Sequence, residues 1–181
     1  MRTYLMTATV LAGLAGAGAA FASDDCRVPQ AEWQSRDAVA AMATKQGWTD
    51  ARIETDDGCY EIDARDAQGR EVEAKVHPGT LEIIKLKYGD GDCRVPMENW
   101  QPREAVQKMA ETKGWTVRRI QTDDGCYEIK ARDAENREIE VKVDPATLDM
   151  VEFEYEDDGY RAPGATTGAM ELPANGSSAA E

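Results

Sequence analysis

The octapeptide Thr55-Asp56-Asp57-Gly58-Cys59-Tyr60-Glu61-Ile62 recurs unbroken 67 residues later as Thr122-Asp123-Asp124-Gly125-Cys126-Tyr127-Glu128-Ile129. Outward from it, Gly47-Trp48-Thr49 returns as Gly114-Trp115-Thr116, and Trp33-Gln34 as Trp100-Gln101. Asp25-Cys26-Arg27-Val28-Pro29 returns as Asp92-Cys93-Arg94-Val95-Pro96. Without a gap, 39 of 67 aligned positions are identical, so the chain carries an internal duplication over 25–91 and 92–158. The domain reading is 23–91 and 92–158, with 1–22 and 159–181 outside both.

Each copy changes period once. Ala38, Val39, Met42 and Ala43, matched by Ala105, Val106, Met109 and Ala110, recur at i, i+3 and i+4, which predicts one helical face. Pro102 is expected just inside the start of the second helix, and Gly47 and Gly114 just past the ends. Period-two alternation follows. A strand over 48–55 precedes the Asp-Asp-Gly turn. The next, over 59–65, sets Tyr60, Ile62 and Ala64 against Glu61, Asp63 and Arg65. A third sets Val72, Ala74 and Val76 against Glu71, Glu73 and Lys75, and a last carries Ile84, Leu86 and Tyr88. One sheet face is therefore buried beneath the helix, and the other is wet and expected to be mostly acidic. The fold class is α+β: two tandem modules, each one helix packed on a three- to four-stranded antiparallel sheet.

The N-terminus reads as an export signal. Arg2 is followed by an apolar stretch over 4–20 and by Ala20-Phe21-Ala22, a small-x-small cleavage pattern before Ser23. Residues 1–22 are read as a signal peptide, and the expected location is periplasmic or secreted. No later stretch is apolar enough to insert in a membrane. Residues 159–181 are rich in Gly, Ala, Thr, Pro and Ser and are expected to be a disordered tail.

Export gives the four cysteines an oxidising compartment. Three pairings are open. If each copy is a folding unit, the pairs are Cys26–Cys59 and Cys93–Cys126, each closing a loop of 34 residues. Such a loop is worth about 3–4 kcal/mol in the chain-entropy model. No Cys-x-x-Cys is present, so the role is structural.

The net charge of −14 excludes nucleic acid, which needs clustered Lys and Arg, and disfavours anionic membranes. It serves solubility, and it attracts cations or basic proteins.

Tyr127-Glu128-Ile129, Asp133 and Val141-Lys142-Val143-Asp144-Pro145-Ala146-Thr147, with their first-copy counterparts, resemble the PepSY domain. Leu81 and Leu148 stand where that family has Gly after Thr, and His77 stands where copy two keeps Asp144. The resemblance implies a bacterial, non-enzymatic, exported module. Some members are peptidase propeptides that inhibit the protease. A small two-domain type binds lanthanides, and this chain is similar to that type in size, acidity and duplication.

Catalysis is disfavoured by the residues themselves. His77 is the single histidine, so no His-based triad or His-rich metal site is available. Hard cations such as lanthanide or calcium want several carboxylate oxygens. The candidate ligands are Asp56 and Asp57, Asp123 and Asp124, Asp90 and Asp92 at the junction, and Asp157 and Asp158 closing copy two. Asp-Asp-Gly is first of all a good hairpin turn. The alternative is a protein-binding module that inhibits or modulates a periplasmic peptidase, by strand addition at a free sheet edge. Trp33, Trp48, Trp100 and Trp115 recur in register, which favours packing within each copy over anchoring a partner.

Overall fold

A computed structural model describes Cys26 and residues 28–156. The expected signal peptide and tail lie outside the described residues.

The elements run α1 (Arg36–Lys45), β1 (Thr49–Asp56), β2 (Cys59–Arg65), β3 (Glu71–Val76) and β4 (Ile83–Tyr88), then α2 (Arg103–Thr112), β5 (Thr116–Asp123), β6 (Cys126–Arg132), β7 (Glu138–Val143) and β8 (Met150–Tyr155). Ser35 caps α1, its Oγ accepting the Ala38 N–H at 3.2 Å. Copy two has Pro102 at that place. Contrary to expectation, Pro102 stands at the cap and not inside the helix: its ψ of 153° is extended, and its carbonyl accepts the Ala105 N–H. Both helices end before Gly47 and Gly114, at φ 76° and 77°. Val39 and Ala43, with Val106 and Ala110, are the fully buried helix residues.

Each copy has four strands, the upper end of expectation, but the sheet they build is larger than either module. All eight strands form one antiparallel sheet in the order β1-β2-β3-β4-β8-β7-β6-β5. The last strand of each copy pairs with its own counterpart, in the register Lys85↔Glu154, Leu86↔Phe153, Lys87↔Glu152. Equivalent strands that run antiparallel are related by a pseudo-twofold normal to the sheet, so both helices cover the same face. Leu86 and Phe153 are buried in a core shared by both copies, where each apolar side chain contributes about 1.5–3 kcal/mol.

The disulfides are Cys26–Cys59 and Cys93–Cys126, as the duplication implied. Trp48 and Trp115 are buried. Trp33 and Trp100 stack edge-on against Tyr60 and Tyr127 and donate to the Val28 and Val95 carbonyls. The tryptophans serve packing within each copy.

Candidate functional site

The Asp-Asp-Gly turns are tight hairpins. Asp57 and Gly58, like Asp124 and Gly125, both have positive φ, the type I′ geometry that suits the strand twist. A Cβ on Gly58 would lie 2.6 Å from the Cys26 carbonyl oxygen, and one on Gly125 would collide with that of Cys93. The glycines are therefore required by the disulfide-linked segment that crosses the turn.

The carboxylates of these turns are kept apart. β1 and β5 are the two outer strands, seven spacings from each other, or about 34 Å. The turn at Asp56-Asp57 therefore cannot share a ligand with the turn at Asp123-Asp124. In copy two the turn already holds a cation: Lys142 Nζ lies 2.7 Å from Asp123 and 3.0 Å from Asp124. Burial alone would depress the Lys142 pKa, but the bonds to Asp123 and Asp124 and the nearby Glu152 raise it overall. The Lys142 hydrogen bond holds Asp123 below the usual carboxylate range. Asp90 accepts the Asp92 backbone N–H and pairs with Arg94, which lowers its pKa too. Cys93 N–H donates to the Asp124 carbonyl at 3.0 Å, so the junction does run beside the second turn. Asp157 and Asp158 lie outside the described residues. Among the described residues no group of three or more His, Cys, Asp or Glu could hold a metal ion.

The sheet edges are also occupied. β4 and β8 use theirs on each other. On β1 the residues flanking the two-residue turn, Asp56 and Cys59, form a hydrogen-bonded pair. Counting back, Ile53 opposite Ile62 is a non-bonded pair whose carbonyl points outward. Arg36, the first residue of α1, donates to that carbonyl at 2.6 Å, and Arg103 does the same to Ile120 on β5. A bulge near Arg52 and another near Arg119 bend both edges further. The free edge expected from the sequence is guarded in both copies.

The wet face corrects a second expectation: it is mixed in charge, balanced in copy one and with Glu128, Glu138, Glu140, Glu152 and Glu154 against Lys130, Arg132 and Lys142 in copy two. Over β2, β3 and β4 it carries Glu61, Asp63, Glu71 and Glu73 against Arg65, Lys75, Lys85 and Lys87. Lys87 pairs with Glu73 at 2.7 Å, Lys130 with Glu140 at 2.6 Å, and Arg132 with Glu138 at 2.6 Å. Lys85 reaches Glu154 of the other copy at 2.8 Å. Bonds to Glu140 and Glu156 raise the Lys130 pKa, and Arg132 lowers that of Glu138. Cross-strand register brings opposite charges together, so the acidity lies mainly in the turns.

A buried polar cluster on the helix face was missed by the sequence reading. Arg137 Nε holds Asp133 at 2.7 Å, its Nη1 holds Glu82 of the other copy at 2.6 Å, and its guanidinium lies 4.4 Å from the Tyr155 ring centroid. The Tyr155 hydroxyl donates to Glu82 at 2.9 Å. Burial, then Glu82, raises the Tyr155 pKa. The sequence did carry a signal: Asp66/Asp133, Arg70/Arg137 and Tyr88/Tyr155 are identical between the copies, and Glu82/Asp149 is not.

With this geometry in hand, a family model described as "Peptidase propeptide and YPEB domain" matches residues 5–87 and 90–154. The chain belongs to the PepSY family. PepSY members are typically extracellular or periplasmic, and among the described residues of this chain no helix is long and apolar enough to cross a membrane. Among solved structures, the Bacillus megaterium YpeB C-terminal domain is 8% identical, with a TM-score of 0.50 over 75% of this chain and 70% of that one. That likeness is one of fold. The YpmB protein from Bacillus subtilis (16% identity, TM-score 0.29, 68% of this chain and 98% of that one) is also similar. So is a DUF2874 family protein from Bacteroides uniformis (14%, 0.29, 71% and 94%). No curated protein matches the chain.

Proposed function

We propose that this PepSY protein is a non-catalytic, exported binding module that engages an extracytoplasmic peptidase. The observation that carries the reading is the fused eight-stranded sheet. Its wet face carries alternating charges from both copies, crossed near Lys87 and Glu152 by the segment that joins them. Such a surface orients a protein partner through complementary ion pairs without strong net attraction. The family's description as a peptidase propeptide domain names the class of partner. Non-catalysis is supported by the chemistry in hand: the cysteines are in disulfides, and His77 Nδ1 accepts from Thr80 inside a turn. The test adds the chain to extracytoplasmic peptidases with a chelator present and measures proteolysis. Saturable inhibition at one-to-one stoichiometry is expected. Unchanged proteolysis at saturating chain rules the reading out.

A second reading is hard-cation binding, by lanthanide or calcium. It draws on the contact that sets Asp90 and Asp92 beside Asp123 and Asp124. A cation there must displace Lys142 from both turn carboxylates. Titration of terbium(III) or calcium tests it. Asp123→Asn with Asp124→Asn should weaken binding more than Glu138→Gln with Glu140→Gln, and Lys142→Met should strengthen it. Equal losses in the two double variants indicate diffuse charge.

A further inference from the structure

The pseudo-twofold makes a second copy of the Glu82 cluster, and that copy is incomplete. Asp66, Arg70 and Tyr88 repeat Asp133, Arg137 and Tyr155. Arg70 Nε holds Asp66 at 2.7 Å, as Arg137 Nε holds Asp133. The Arg70 guanidinium lies 4.6 Å from the Tyr88 ring centroid, matching the stack of Arg137 on Tyr155. The missing part is the carboxylate. Its place belongs to Asp149, the counterpart of Glu82.

The turn that carries Asp149 repeats the turn that carries Glu82. Its carbonyl accepts the Asp144 N–H at 2.9 Å, as that of Glu82 accepts the His77 N–H at 2.8 Å. Its N–H donates to Thr147 Oγ1 at 3.2 Å, as that of Glu82 donates to Thr80 Oγ1 at 3.3 Å. The side chain is one methylene shorter, remains exposed, and makes no ion pair with Arg70. Solvent therefore enters: the Arg70 side chain is 35% exposed against 10% for Arg137. Among the described residues Asp66 is the only carboxylate paired with Arg70, through Nε, and the Nη atoms carry no hydrogen bond. Burial raises the Tyr88 pKa, with the nearby Trp48 indole opposing, so the phenol keeps its proton to donate.

We propose that Arg70 and Tyr88 form a binding notch for a carboxylate supplied from outside the chain, which takes the place that Glu82 fills in the other copy. The Glu82 cluster is the template. One carboxylate oxygen accepts from both the arginine Nη and the tyrosine hydroxyl, above a ring that excludes water. Charge-assisted bonds of this kind are roughly twice as strong as neutral ones. The ligand meets Arg70 with Asp66, and beyond them Asp149 with Lys113 near it. The fitting ligand is a peptide C-terminus or an acidic side chain of a partner protein. The inference does not rest on the peptidase reading.

The test is a titration of the 15N-labelled chain with sodium acetate at constant ionic strength, following the arginine Nε–H and tryptophan Nε1–H signals by NMR. Arg70 and Trp48 should shift saturably, and Arg137 should not move. Asp149→Glu, which supplies the missing methylene, should raise the half-saturation concentration at least about tenfold, as expected when an internal carboxylate competes. Arg70→Lys, which keeps the charge and loses the fork, should remove saturation if the first variant does not fold. A short peptide with a free C-terminus, its amide, and a doubly blocked peptide bearing one Glu separate the two sources. Parallel shifts at Arg70 and Arg137, or an Asp149→Glu titration like the parent's, overturn the proposal. So does binding of acetate without either carboxylate-bearing peptide.

Discussion

Glu82 of the first repeat meets Arg137 of the second at 2.6 Å across the module junction, while their counterparts Asp149 and Arg70 form no pair. One junction thus has a locked side and an open side. Glu82→Gln should lower stability by about 2 kcal/mol. That is less than the 3–5 kcal/mol of an orphaned buried charge, because Asp133 still holds Arg137. Urea unfolding should show one transition with a lower midpoint and an unchanged slope. Two resolved transitions would mean that the copies unfold separately despite their shared core.

The two kinds of glycine separate strain from collision. Gly69 has φ 79° with nothing near its would-be Cβ, so Gly69→Ala should cost about 1 kcal/mol through backbone strain alone. Gly125→Ala adds a collision with the Cys93 carbonyl and should cost roughly 3 kcal/mol or more. Paired thermal melts measure the difference. Equal losses would show that the crossing strand moves aside freely.

Arg36→Ser with Arg103→Ser removes both edge guards. These exposed contacts each contribute about 1 kcal/mol to stability. The uncovered Ile53 and Ile120 carbonyls should then recruit another edge, giving concentration-dependent self-association in sedimentation velocity. A variant that remains monomeric at high concentration would assign edge protection to the bulges.

His77 links acid to stability. Burial lowers its pKa below the ordinary histidine value of about 6.5, with Glu82 opposing. The unfolded chain then binds a proton at a higher pH than the folded chain does, so stability is full above about pH 6.5 and falls as pH drops from there through the folded pKa. Protonation at Nδ1 would also remove its bond from the Thr80 N–H at 3.2 Å. Urea midpoints between pH 7 and 5 should fall more steeply for the parent than for His77→Asn. Parallel curves would place the acid sensitivity in other groups.

Much of the module was legible because its signals are local. The alternation Tyr60-Ile62-Ala64, the helical spacing of Val39 and Ala43, and the Asp-Asp-Gly turn each act over a few residues. The duplication then selected one disulfide pairing of three. The site was far less legible. Asp123 and Asp124 read as candidate ligands because Lys142 lies 19 and 18 residues away, and only the register of β6 and β7 brings it to the turn. The acidity of the wet face was overestimated because its lysines arrive from neighbouring strands.

The sequence by itself determined two copies of a module of one helix and three or four strands, which strand positions face the core, and the bridges Cys26–Cys59 and Cys93–Cys126. Only the tertiary structure decided that the final strands pair with each other, that both outer edges are guarded by helix arginines, and that Glu82 finds Arg137 while Asp149 finds no arginine. The reason is physical. Alternation and turn chemistry are properties of neighbouring residues. The union of two near-identical edges depends on shape and charge at contacts more than 60 residues apart, and no local pattern encodes it.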